Sequence, residues 1–177
     1  LDFSNMPLTS FNKKVRQLFP INSEFNLFEA YTEFWASTMN SLISAYLLTE
    51  NKDEQNFLIY SDFCSRFEQI FSLFQMVKIL DFMGLNYKNL FSNDSVSNGV
   101  RRYLFKEKSN VFAYYIIKNL LLYFNVDFLI WCKQHNNNLL SFNKNSSTLN
   151  SFLRFIDEKH QNKTFLKDIE KMHTFLK

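Results

Sequence analysis

The chain has 177 residues, of which 22 are Phe and only 2 are Gly, and its 20 basic and 17 acidic residues give a net charge of +3. This length fits one domain, and a hydrophobic fraction of 46% allows a large core and excludes an intrinsically disordered chain. Two glycines cannot build a glycine-rich phosphate loop or a dinucleotide-binding fingerprint, because both motifs need several residues without a side chain. The near-balanced charge requires no polyanionic partner.

The first fifty residues predict an arm followed by two helices. Residues 1–10 are predicted to be extended, and a short helix is predicted over 12–19. This helix stops before Pro20, since a residue that precedes proline avoids the α region. Ser23 is a candidate N-cap for a long helix over 24–48, in which apolar residues recur every three or four positions and predict a wide buried stripe.

A second long helix is predicted to begin at Asp53 or Asn56, because apolar residues keep the helical period for about thirty residues from there. Gly84 stands where a helix commonly ends in a left-handed residue. A helix of this length is unusual in a globular domain, so a break near Ser61 or Ser65 is also expected.

The middle of the chain predicts a loop and a buried helical hairpin. Residues 92–99 read SNDSVSNG, a composition that is typical of turns and predicts a loop. The longest apolar stretch, 111–132, contains Lys118 and Asp127, and charges near the centre of a membrane span are costly. We therefore expect two helices that pack in a protein core and no membrane span.

The whole pattern predicts an all-α fold, an irregular bundle of about six to eight helices, because no segment alternates apolar and polar residues for more than a few positions. An Asn- and Ser-rich linker precedes two amphipathic helices at the end of the chain. The predicted organisation is an arm with a short helix (1–22), a main helical core (23–135), the linker (136–147) and a C-terminal helical pair packing on the core (148–177).

Two cysteines, Cys64 and Cys132, do not make a disulfide framework, and we expect buried free thiols in a reducing compartment. The expected location is intracellular, either cytoplasmic or virus-associated. Abundant Asn, Lys and Phe with little Gly and Pro suggest the A/T-rich coding of a large DNA virus or a protist. The three histidines, His135, His160 and His173, are expected at exposed helix ends, and none has a metal-binding partner four residues away.

One segment of the first long helix, EAYTEFWA at 29–36, places Glu29 and Glu33 on one helical face. It resembles the second zinc motif of gluzincin-type metallopeptidases, a helix with Glu-x-x-x-Asp. The resemblance implies Glu29 as a zinc ligand and Glu33, in the place of Asp, as the outer carboxylate that orients a ligating histidine. Because this chain contains no HExxH, the resemblance implies the downstream helical part of a zinc peptidase whose HExxH segment lies outside the chain. Two solvent-facing glutamates are the alternative.

A basic segment offers a second possible function. Basic side chains can meet phosphates and neighbouring aromatic rings can stack on bases, so this segment is a candidate nucleic-acid interface. The alternative is a solvated basic surface. The candidate residues are Arg101, Arg102, Lys106 and Lys108.

The abundance of bulky aromatic side chains indicates a third possible function. It exceeds what a compact domain of this size must hide, which favours an exposed apolar interface. Phe11, Leu18 and Phe19 are candidates to dock on another chain, and the alternative is that they fill the chain's own core. The preferred reading is a non-enzymatic helical interaction or assembly domain that binds a protein partner or a copy of itself, without a cofactor; zinc enters only with the peptidase reading.

Overall fold

The structure, a computed structural model, describes residues 8–50, 53–107 and 109–177. These residues form eight α-helices and no β-strand, which confirms the predicted all-α class. Residues 1–7 of the predicted arm lie outside the described residues, and the prediction of an extended arm is wrong for residues 8–10, which begin the first α-helix. The α-helices are α1 (Leu8–Leu18), α2 (Leu27–Leu48), α3 (Glu54–Phe82), α4 (Ser95–Leu104), α5 (Lys118–Tyr123), α6 (Asn125–His135), α7 (Ser146–His160) and α8 (Lys163–Leu176). A 3₁₀-helix spans Tyr87–Leu90, and a π-helix spans Phe112–Ile117 directly before α5.

Local capping chemistry sets both ends of α3 as predicted. The side chain of Asp53 accepts a hydrogen bond from the backbone N–H of Asn56 at 2.9 Å, which satisfies one of the open donors of the first turn. At the other end Gly84 adopts a φ of +71°, and the N–H of Leu85 donates to the carbonyl of Leu80 at 2.8 Å. The predicted break near Ser61 or Ser65 is wrong, because α3 is one continuous helix.

Two other helix starts differ from the prediction because a nearby side chain caps better. Asn26, and not Ser23, accepts from the N–H of Phe28 at 3.1 Å and begins α2. The predicted loop over 92–99 is wrong for residues 95–99, which belong to α4, since Asp94 accepts from the N–H of Ser97 at 2.8 Å and caps that helix. The hydrogen bond that Ser92 donates to Asp94 is the main reason why the pKa of that carboxyl lies well below its usual range.

The long apolar stretch folds into two segments that pack in the core. In the described part of the chain no single helix is long and apolar enough to cross a membrane. The segments Phe112–Tyr123 and Asn125–His135 reach that length and composition only as a pair, and they are bent by 92° relative to each other.

The core is built from aromatic rings that meet edge to face. Phe34 of α2 contacts Phe128 of α6 with ring centroids 4.8 Å apart, and Phe11 of α1 stacks on Phe152 of α7 at 6.4 Å. Such pairs add to the stabilisation from apolar burial. His160 is also buried, with its ring 5.2 Å from that of Phe19, so the expectation of an exposed histidine is wrong at this position.

Candidate interaction surface

The two longest helices, α2 and α3, pack on each other as a hairpin whose two ends have different surroundings. Near the core, α2 buries Phe28, Tyr31 and Phe34. In the same layer α3 buries Met76 and Leu80. We call residues 39–50 and 53–71, which extend away from this layer, the distal hairpin.

Small side chains form the seam between the two helices of the distal hairpin. On α2 the buried positions are Ser41, Ala45 and Thr49, spaced by four residues and therefore on one helical face. On α3 the hydroxyl oxygen of Ser61 is buried, and Ser72 continues the same side of the helix toward the core. Small residues at a helix contact let the two backbones approach closely.

Large apolar side chains lie on the outer sides of the same two helices and face solvent. Their exposed fractions run from 36% for Met39 to 77% for Leu47, and Phe63 and Phe67 are exposed by 63% and 64%. The prediction of a wide buried stripe on the first long helix is therefore wrong for the distal half of α2. We call this set the distal apolar face; it consists of Met39, Ile43, Tyr46, Leu47, Leu48, Leu58, Ile59, Tyr60, Phe63, Phe67, Ile70 and Phe71.

The large side chains of the distal apolar face leave much apolar surface exposed, divided between the outer side of α2 and the outer side of α3. At about 150–250 Å² for a large side chain, twelve that are roughly half exposed leave on the order of 1,000 Å² uncovered. The largest apolar patch on a typical monomer covers about 300–600 Å², and larger ones mark interaction sites. The rings of Phe67, Phe71 and Phe74 also stack along the helix, at centroid distances of 6.5 and 6.4 Å, so α3 presents an ordered row of aromatic rings.

Charged groups border this face. The turn between the helices carries three exposed acids, Glu50, Asp53 and Glu54. Midway along α3, Arg66 Nε donates to Asp62 Oδ2 at 2.7 Å, and both side chains are mostly exposed. Toward the core, Ile70 lies at the rim of a groove of about 700 Å³ between α3 and α8. The apolar surface therefore has a charged edge and an acidic tip.

The groove beside Ile70 contains one ordered polar contact. Tyr123 donates its hydroxyl proton to Asp168 Oδ2 at 2.7 Å, and Lys171 Nζ donates to the other carboxylate oxygen at 2.7 Å. Partial burial, followed by the bond to Asp168, raises the pKa of Tyr123 to about 12. The phenol is thus held neutral, and this contact fastens α8 to the end of α5.

The three residues expected at an interface on sequence grounds lie instead against the chain's own core. Phe11 and Phe19 are buried, and Leu18 is half-buried and packs on the same cluster. Five exposed aromatic residues, Tyr46, Tyr60, Phe63, Phe67 and Phe71, lie on the distal hairpin, whereas Phe82, Tyr103 and Phe175 are exposed elsewhere. A sequence pattern could have pointed there, since Ser41, Ala45 and Thr49 recur every four residues and mark a tight helix contact opposite the large side chains.

The glutamates of the EAYTEFWA segment are half-buried on α2. Glu29 accepts hydrogen bonds from the hydroxyl of Tyr114 at 3.1 Å and from the amide of Asn26 at 3.4 Å. The bond to Glu29 is the main cause that raises the pKa of the Tyr114 phenol. Among the described residues no group of three His, Cys, Asp or Glu side chains is arranged to hold a metal ion, so nothing in this part of the chain completes a site with Glu29 and Glu33.

The structure does not bring the basic candidates together on one accessible surface. Arg101 is buried, and its guanidinium donates to the carbonyls of Pro20, Asn89 and Ser92. Its donors therefore tie α4 to the preceding segments and do not face a phosphate. The side chains of Arg102 and Lys106 are exposed, whereas Lys108 lies outside the described residues.

Cys132 and His135 lie three residues apart on α6, but they do not form an activated thiol. Cys132 is fully buried, and burial raises the pKa of its thiol to about 12, which suppresses the nucleophilic thiolate. The His135 ring bonds to the carbonyl of Trp131 at 2.9 Å and to the hydroxyl of Ser151 at 2.7 Å. Both cysteines are free thiols, as predicted, but the expectation of burial is wrong for Cys64, which is half-buried in the distal hairpin.

Comparison of the chain with protein-family models, with curated proteins and with solved structures finds no match. Any statement of function therefore rests on the geometry of this molecule.

Proposed function

We propose that this chain is a non-enzymatic helical interaction or assembly domain, and that the distal apolar face is its contact surface. The observation that carries the proposal is the solvent exposure of this face, where Phe63, Phe67 and Leu47 are each more than half exposed. Leaving this apolar surface in water is unfavourable by about 25 cal/mol per Å², and a partner removes that cost for the side that it covers.

The seam of the distal hairpin supports this reading. Because Ser41, Ala45 and Thr49 already occupy the buried side of α2, the outer side chains are not needed to close the hairpin. The ordinary arrangement, with large apolar residues inside and small polar ones outside, is reversed here. A sequence that keeps large aromatic residues on the outside of an ordered hairpin suits a surface that becomes buried on association.

The charges at the border of the face favour a protein partner over a lipid surface. A helix that lies on a membrane usually carries Lys and Arg on its polar side, which attract anionic headgroups. The turn of this hairpin has three acidic residues, Glu50, Asp53 and Glu54, and one basic residue, Lys52, so its sequence has a net negative charge. Negative charges at the tip oppose approach to an anionic bilayer, whereas a protein can supply complementary cations.

A photo-cross-linking experiment tests the proposal. A benzoylphenylalanine is placed at Phe67 on the distal apolar face, and a matched control is placed at Phe82, which is 90% exposed on the same helix but outside the distal hairpin. Irradiation in cells that make the protein should give protein adducts from position 67 and none from position 82. Absence of a protein adduct at position 67, or equal adducts at both positions, contradicts the proposed function.

A further inference from the structure

We infer that the partner of the distal apolar face is a second copy of this chain, bound through α3 in an antiparallel, two-fold symmetric pair. This inference rests on the proposed function and adds the identity of the partner. Three features of α3 carry it, namely the spacing of its outer apolar residues, the position of one ion pair, and the area that the pair would bury.

The outer residues of α3 have the spacing of a helix-pairing seam. Ile59, Phe63 and Ile70 follow one another at intervals of four and seven residues, and Phe67 lies between the last two. Intervals of three, four and seven residues keep side chains on one line along a helix that pairs with another helix. A partner helix that lies along this line contacts all of these side chains.

The ion pair makes this seam complementary to itself. Asp62 and Arg66 lie four residues apart on the side of α3 next to the seam, where they bond to each other and are both mostly exposed. The point midway between them falls within one residue of the point midway between Ile59 and Ile70. A two-fold axis through the centre of the seam therefore places Asp62 of each copy beside Arg66 of the other.

In such an arrangement one acid and one base per chain form two ion pairs across the interface, because a two-fold interface brings the same patch of both copies together. An unrelated partner would need its own acid and base at matching positions. The self-complementary charges are the reason for preferring a second copy to another protein.

The area of the seam also suits a pair. Six outer side chains of α3 at residues 59–71 are about half exposed, which leaves on the order of 600 Å² per copy at about 200 Å² for each full side chain. A standard protein interface buries about 800 Å² on each partner. The charged side chains beside the seam add to this area.

A charge-exchange experiment tests the pairing. Asp62→Arg and Arg66→Asp are made singly and together, and each is studied by sedimentation equilibrium through the micromolar range. In the two-fold pair each single variant sets like charges against each other twice, so its dimer should weaken by about tenfold. The double variant restores both pairs and should dimerise like the unchanged chain.

Mixing the two single variants is the decisive arm. In each single variant the like charges at positions 62 and 66 repel each other within one helix, both alone and in the mixture. Any gain on mixing therefore comes from contacts between copies. An equimolar mixture of Asp62→Arg and Arg66→Asp should form heterodimers with the affinity of the unchanged dimer, and the gain should shrink in about 1 M salt, where the Debye length is about 3 Å. Circular dichroism of each variant verifies that the helices are intact.

Three results overturn the inference: an unchanged chain that stays monomeric through the concentration series, single variants that dimerise normally, or a mixture that shows no gain. If position 67 then forms adducts with a different protein, the proposed function is supported and only the second copy is excluded as the partner. Flotation of the chain with phosphatidylcholine vesicles, without protein adducts at position 67, overturns both proposals.

Discussion

The two halves of the hairpin formed by α2 and α3 have similar apolar content and opposite surroundings. Near the core, Phe34 is fully buried against Phe128, with ring centroids 4.8 Å apart. In the distal half, Phe63 and Phe67 are each more than half exposed on a helix that continues without a break. Helical periodicity therefore places apolar residues on one face, but whether that face is buried depends on what other elements of the chain can reach.

The largest expected difference between the halves is the cost of removing a phenyl ring. Phe34→Ala should lower the free energy of unfolding by about 3–5 kcal/mol, because it removes a buried ring and leaves a cavity. Phe63→Ala in the distal half should change it by less than about 0.5 kcal/mol. Urea unfolding at a protein concentration too low for association measures both, and equal losses would contradict the division into two halves.

A second difference concerns the seam of the distal hairpin. Ala45 is fully buried where α3 packs on α2, so Ala45→Leu forces large atoms into a closed contact and should destabilise the fold by about 1–3 kcal/mol. The matched control is Leu47→Ala, two residues away and 77% exposed, which should change stability by less than about 0.5 kcal/mol. A larger loss of stability for Leu47→Ala than for Ala45→Leu would show that α2 packs on α3 through the side that carries Leu47 and not through the side that carries Ala45.

The core end of α3 depends on one backbone conformation. Gly84→Ala places a side chain at a φ of +71°, which should cost about 1 kcal/mol. Gly99 provides the control, because it lies inside α4 and an added methyl group meets nothing within 4 Å. Gly99→Ala should stabilise the chain by about 0.5–1 kcal/mol, and thermal melts that shift in the same direction for both variants would contradict this.

The last difference separates the two thiols by their reactivity. At about pH 8 a thiol reagent should label Cys64 in the folded protein while Cys132, whose pKa is raised to about 12 by burial, stays unlabelled until the chain unfolds. In the unfolded chain the Cys132 thiol ionises near its ordinary value of 9.0, so the free energy of unfolding should fall as the pH rises from about 9 to about 12. Mass spectrometry of the labelled chain gives the site, and equal labelling at both cysteines would contradict the burial difference.

Much of the fold could be predicted from local chemistry. The predicted helix end at Gly84 is confirmed, and of the two predicted starts, Asp53 and Asn56, Asp53 is the N-cap. The start of α4 was missed because the turn-forming composition of residues 92–99 concealed the capping carboxylate of Asp94. Composition averages over a segment, whereas one capping hydrogen bond decides where a helix begins.

The candidate surface could not be located from the sequence for a different reason. Periodicity finds an apolar face but carries no information about its neighbours, so Phe11 and Phe19 were as good candidates for an interface as Phe67. The structure places the first two in the core and leaves the third exposed. Arg101 gave a similar error, since a basic residue next to aromatic ones looks accessible in sequence but here bonds three backbone carbonyls.

The most direct test of the central claim is sedimentation equilibrium of the unchanged chain beside Phe67→Glu and Phe82→Glu. Both substitutions replace an exposed ring on the same helix, but only Phe67 lies on the distal apolar face. The account predicts twice the chain mass of 21.3 kDa for the unchanged protein and for Phe82→Glu, and a mass of 21.3 kDa for Phe67→Glu. A mass of 21.3 kDa for all three proteins, or a dimer that both substitutions disrupt equally, would contradict it.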